Sequence, residues 1–208
     1  MALSNYTELK STIASFLNRD DLTSVIPTFI LLAESQINRD VRHWQMESRS
    51  SGQQTGGDQY SQLPADWIET IRLTLASGNK APLQFISIAD MASRRSSVND
   101  AAGTPAYFSH VQGQIEMFPT PSQDTDIELL YYAKVPALET NTTNWLLTEA
   151  PDVYLYGALL HTAPYLHDDA RLAVWAQLYS AAVARINQSS DASKFSGTGL
   201  KMKIRGLS

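Results

Sequence analysis

From Pro151 to Asn187 the spacing of apolar residues changes half-way along. Val153, Leu155, Ala158, Leu159 and Leu160, joined by Tyr154, Tyr156 and Tyr165, leave no polar side, and no charge falls between Val153 and Leu166. A helix that is apolar all round must be covered all round. Beyond it, Leu172, Trp175, Leu178, Tyr179, Ala182 and Ile186 recur at three- and four-residue intervals, which predicts a second helix with one apolar stripe. Asp168 is placed to cap that second helix, and Pro164 to kink or end the first. The stretch reads as a helical hairpin with more apolar surface than it can bury alone.

The chain also opens on helical spacing. Tyr6, Leu9, Ile13, Phe16 and Leu17 predict a helix over Tyr6–Arg19, with Asn5 as its cap and Glu8 three residues on as in a capping box. After Asp20–Ser24, Pro27 suits the first turn of a second helix reaching Val41 or Arg42, with Phe29, Ile30, Leu32, Ala33 and Ile37 inward. Between the two hairpins the period shortens. Trp44–Gln54 alternates only in part, with turn-formers at Ser50-Ser51-Gly52 and Gly56-Gly57-Asp58. Strands are expected over Trp67–Leu75, Ala106–His110, Gln114–Phe118 and Asp126–Ala133, with a turn at Gln112-Gly113. A short helix, capped by Ser87, is expected over Ile88–Arg95, and a polar connector over Glu139–Asn144.

These elements imply an α+β fold: helical hairpins at 1–43 and 141–188 packed as one bundle, a β-rich insertion at 44–140, and an arm at 189–208. In that arm Ser189–Gly199 is Ser- and Gly-rich, so disorder is expected. After it Leu200, Met202 and Ile204 alternate with Lys201, Lys203 and Arg205, the pattern of a strand that adds to another sheet's edge.

Charge sharpens the division. The chain carries −5 overall, but 189–208 hold four cations against Asp191 alone, so the arm is +3 and the body −8. An acidic body excludes a DNA-gripping domain, which needs clustered Lys and Arg. Cysteine is absent, which excludes disulfides, thiolate catalysis and Cys-ligated metals. No secretory signal is evident at the N-terminus and no apolar run reaches membrane-spanning length, so a soluble protein made in a cytoplasm is expected.

Candidate chemistry is thin. No phosphate-binding, dinucleotide, zinc-protease or nucleophile-elbow motif occurs, and Gly197-Thr198-Gly199 precedes no predicted helix. His161 and His167 lie six residues apart, off a common helical face, so Asp168 and Asp169 beside them read as cap and turn residues rather than metal ligands. Glu116, Asp124, Asp126 and Glu128 sit in or beside alternating strands and read as a solvated face rather than a hydrolytic pair. Tyr131-Tyr132 and Tyr154/Tyr156 lack the cations of a nucleic-acid stacking platform and read as packing. No catalytic residue, metal or cofactor is expected.

Five segments together resemble a known family: PTFILLAESQINRDVR (Pro27–Arg42), LPADWIETIRLTL (Leu63–Leu75), YFSHVQGQIEMFPTP (Tyr107–Pro121), DIELLYYAKVPAL (Asp126–Leu138) and YLYGALLHTAPYLHDDARLAVW (Tyr154–Trp175). Their order and spacing are similar to the head-to-tail adaptor (connector) proteins of tailed bacteriophages. The resemblance implies a structural virion protein at the neck: a dodecameric ring beneath the portal that extends the DNA channel and offers a docking surface to the tail or nozzle. DNA would pass through the lumen without specific binding. It further implies that Tyr154, Tyr156, Leu159, Trp175 and Tyr179 pack partly against neighbouring subunits. Phe195, Leu200, Lys201, Met202, Lys203, Ile204 and Arg205 would reach a neighbouring subunit or the portal. The rival readings are a tail-completion or tail-tube protein, a phage hydrolase and a nucleic-acid-binding accessory factor.

Overall fold

The computed structural model describes residues 3–76, 81–97, 102–165 and 170–195. The chain divides into two compact units, one of residues 1–45 and 135–208, the other of 46–134.

The first unit is helical: α1 (Tyr6–Leu17), α2 (Ile26–Asp40), short α4 (Leu138–Asn141) and α5 (Trp145–Glu149), then α6 (Pro151–Leu160) and α7 (Arg171–Phe195), with α3 lying in the other unit. Asn5 caps α1, its Oδ1 accepting the Glu8 amide at 2.9 Å. Glu8 reaches back not to Asn5 but to the backbone amide and hydroxyl of Ser4. α1 stops two residues short of Arg19 because Asn18 turns left-handed at φ 51°. Leu9, Ile13 and Leu17 are buried as the spacing predicts, whereas Phe16, and Leu32 on α2, stand outward.

α6 is the centre, packed by α1, α2, α5 and α7. Val153, Tyr154, Leu155, Gly157, Ala158 and Leu159 are buried on all its sides. Pro151 opens it, at a position where the missing amide costs nothing. At Gly157 three helices converge. A Cβ there would lie 3.2 Å from the Tyr179 ring and 3.4 Å from the Ala33 methyl, so a larger residue would push the Tyr179 ring back by a few tenths of an ångström.

The polar connector holds the helical turn α4, and Thr142 gives its carbonyl to the Tyr6 amide at 2.7 Å, satisfying a donor at the start of α1. One expectation changes. Disorder does not begin at Ser189. α7 runs on to Phe195, its buried stripe continuing through Trp175, Tyr179, Ala182, Ile186 and Ser190. The predicted Asp168 cap lies outside the described residues.

Among the described residues the second unit holds nine strands and α3 (Ile88–Ser97). β1 (Glu47–Gln54), β9 (Thr125–Ala133) and β3 (Trp67–Leu75) form one sheet in that order, antiparallel. β2 (Tyr60–Gln62), β7 (Gln114–Phe118), β6 (Tyr107–Val111) and β4 (Gln84–Phe85) form a second, and β5 (Ala102–Gly103) pairs with β8 (Thr120–Pro121). β6 and β7 turn on Gln112 and Gly113, both at positive φ, as that dipeptide predicts. Leu73, Leu75, Leu83, Phe108, Ile115, Met117, Ile127, Leu129 and Tyr131 form one core. Ser87 caps α3, accepting the Asp90 amide at 3.1 Å.

Candidate interaction surfaces

The side chains that the resemblance assigned to subunit contacts are mostly enclosed within the chain. Tyr154, Leu159, Trp175 and Tyr179 are buried, and Tyr156 is half-buried. The hydroxyls explain how the tyrosines tolerate it. Asn144 Nδ2 donates to Tyr154 Oη at 2.7 Å, and Tyr179 Oη donates to Asp40 Oδ2 at 2.9 Å. Burial, first of all, raises both phenol pKa values well above the ordinary one. The apolar residues these helices turn outward are others: Leu31 and Leu32 on α2, Val174 and Leu178 on α7. Val174 and Leu178 lie one turn apart, so they form an aliphatic strip beside the buried stripe.

Polar side chains on the same helices grip two segments that have no ladder of their own. Asn38 Oδ1 accepts the Val135 amide at 2.9 Å, and Glu34 Oε1 accepts the Leu138 amide at 2.8 Å. On the other passage Asn187 Oδ1 accepts the Arg42 amide and Ser190 Oγ the Trp44 amide, each at 2.9 Å. Asn187 Nδ2 also donates to the Asp40 carbonyl at 3.1 Å. Irregular backbone that is removed from water needs such acceptors. Burial raises the Glu34 pKa above the usual carboxylate value; the hydrogen bond from Leu138 opposes that and the charge of Glu139 adds to it.

The carboxylates of the β unit are structural too. Glu116 is not on a solvated face. It is buried and meets Arg95 of α3 at 2.8 Å, while the same guanidinium donates to the Met117 carbonyl at 2.8 Å and Thr120 Oγ1 at 3.0 Å. Glu128 lies 3.3 Å from Arg49 and 3.8 Å from Arg72, and Asp124 accepts the Gly56 amide. Among the described residues no group of three or more His, Cys, Asp or Glu could hold a metal ion, and no helix is long and apolar enough to cross a membrane. His167 and Leu200–Arg205 lie outside the described residues, and Phe195 is placed only as the last residue of α7.

One concave feature escaped the sequence reading. Between β3 and β4 lies a cleft of about 280 Å³ lined by Trp67, Ile68, Glu69, Thr70, Phe85, Phe108 and His110. The His110 ring is ringed by Trp67 at 5.0 Å, Phe85 at 5.4 Å and Phe108 at 5.6 Å. Trp67 Nε1 donates to Thr70 Oγ1, which lies 3.0 Å from His110 Nε2. Burial holds the His110 pKa below the usual imidazole value. Phe85, on its wall, is 57% exposed. A pointer was in view: apolar side chains continue without a break through Phe85-Ile86, with Ile88 next, where alternation alone would leave only one face apolar.

The sequence matches the family model described as SU10 adaptor protein over residues 4–200. The chain belongs to that family. SU10 adaptor proteins are structural proteins of bacteriophages, which work through contacts with other head and tail proteins of the virion. No curated protein matches the chain significantly. Enclosed aromatics fix the fold of the helical unit, and aliphatic side chains of α2 and α7 and an aromatic cleft of the β unit stay exposed.

Proposed function

We propose that this SU10-family adaptor assembles as a ring beneath the portal, a dodecamer by resemblance, extends the DNA channel and offers its far side to the tail or nozzle. The observation that carries the reading is the family match over residues 4–200. Two physical features support it. Leu31, Leu32, Val174 and Leu178 leave aliphatic surface on two helices of one unit, and exposed apolar patches of this kind mark contacts with other chains. The −8 body presents like charge to DNA, so a duplex slides past rather than sticking.

The arm, Leu200–Arg205 with Phe195 at its root, is the attachment element of this reading, reaching a neighbouring adaptor or the portal. Truncation tests it, and the structure moves the cut. Removing everything after Ser189 would delete the Ser190–Trp44 hydrogen bond and the end of α7, so the informative deletion is 196–208. That chain is expected to fold and to fail to join the capsid vertex. The decisive measurement is native mass of the purified 23.0-kDa chain, alone and mixed with portal-bearing capsids. A lone monomer under both conditions overturns the ring.

A further inference from the structure

The β3–β4 cleft lies at the edge of a sheet. The amides of Gln84 and Ile86 donate to the Ala106 and Phe108 carbonyls of β6, so the Phe85 peptide groups face the strand's other, open side. β3 starts to pair there, with Leu83 donating to the Leu73 carbonyl at 2.8 Å. β3 then carries register shifts between Thr70 and Arg72 and between Trp67 and Glu69, and the cleft opens beside that irregular stretch. The result is an open strand edge beside an aromatic floor, the two parts that strand addition uses for affinity and specificity.

We propose that this cleft receives Leu200–Arg205 of a second copy as an extended strand, with Met202 seated over Trp67, Phe108 and His110. The inference rests on the ring reading above and names the surface its arm would grip. In a strand, Leu200, Met202 and Ile204 fall on one side about 6.7 Å apart. The central one enters the cleft beside Phe85, and the cleft's volume holds one large side chain. A thioether is well suited to a floor of aromatic edges. Lys201, Lys203 and Arg205 then face outward, and the +3 arm is drawn to the −8 body by its overall charge. β1, an edge of the three-stranded sheet, is different: it presents Ser48, Ser50 and Gly52 on one face, and a Cβ at Gly52 would meet nothing within 4 Å.

The absence of cysteine makes the test clean. Full-length Phe85→Cys and Met202→Cys chains, mixed under mild oxidation, are expected to cross-link at least ten-fold more than Gly52→Cys with Met202→Cys. A chain carrying both Phe85→Cys and Met202→Cys should give a ladder of covalent oligomers. Should Phe85→Cys unfold at a lower temperature than the parent chain, Glu69→Cys, at an exposed position of the same cleft, replaces it with the same expectation. Equal yields at Gly52→Cys, or a monomer closed on itself with no ladder, overturn the proposal. Native mass of the same samples separates the two ideas. A ring without the ladder keeps the ring and removes the cleft; no ring at all removes the reading beneath both.

Discussion

In the helical unit Tyr154, Trp175 and Tyr179 are enclosed around α6, whereas in the β unit Trp67, Phe85 and His110 line an opening. What the helical unit leaves outside is aliphatic and lies along helices: Leu31, Leu32, Val174 and Leu178. What the β unit leaves outside is aromatic and concave. On the proposed reading the two surfaces would suit different kinds of contact. A row of aliphatic side chains on a helix packs against another helix by ridges and grooves. A ring-lined cleft takes a single anchoring side chain, the arrangement that concentrates binding energy in one place. One molecule thus carries a broad contact and a pointed one, on separate units.

The sharpest way to break the contrast is to attack each core and see which unit fails. Arg95→Ala strands Glu116 without its cation and should destabilise the β unit by about 4 kcal/mol. Replacing both residues with Met should recover most of that loss, read by urea unfolding through the β-sheet circular dichroism. Leu159→Ala, at a fully buried site of α6, should cost the helical unit about 3 kcal/mol in the same experiment. The two variants should lower different transitions; a single shared transition would show that the units do not unfold separately.

Asn187→Ala should cost about 1 to 2 kcal/mol, since it leaves the Arg42 amide without its acceptor. Its mark is local. Hydrogen exchange should quicken at residues 40–46 and stay unchanged in the β unit. The smallest effect is pH. The folded pKa of His110 lies below its unfolded value, so the unfolded chain binds the proton more readily. The β unit therefore loses stability as pH falls through about 6.5 toward the folded value, and His110→Gln should remove that dependence. Glu34 has the opposite sign, being raised: its contribution to the helical unit is lost as pH climbs through the folded value, and Glu34→Gln should flatten that slope. Urea midpoints at pH 7 and pH 5.5 check both.

The helices were legible because their signals are local. Apolar spacing, Asn5, Pro27 and Pro151 each specify a turn from residues a few positions away. So was the enclosed character of α6, which follows from having no polar side. The misreadings share one cause. Ser189 and Ser190 look like linker composition until Trp44, 146 residues away in sequence, supplies the amide that Ser190 accepts. Glu116 looks like a surface carboxylate until α3 brings Arg95 onto it. The cleft needs β3, β4 and β6 together, and irregularities in β3 that no periodicity announces. Pairings that close long loops leave no trace in a window of ten residues.

α7 does two jobs with one rod. Its far end lies at Phe195, and within the last two turns or so before it sit Asn187 and Ser190, holding Arg42 and Trp44. On the proposed reading of the arm as the attachment element, tension along it would meet those few hydrogen bonds before the packing of Trp175 and Tyr179. On that reading the clasp would part first and the bundle behind it stay shut.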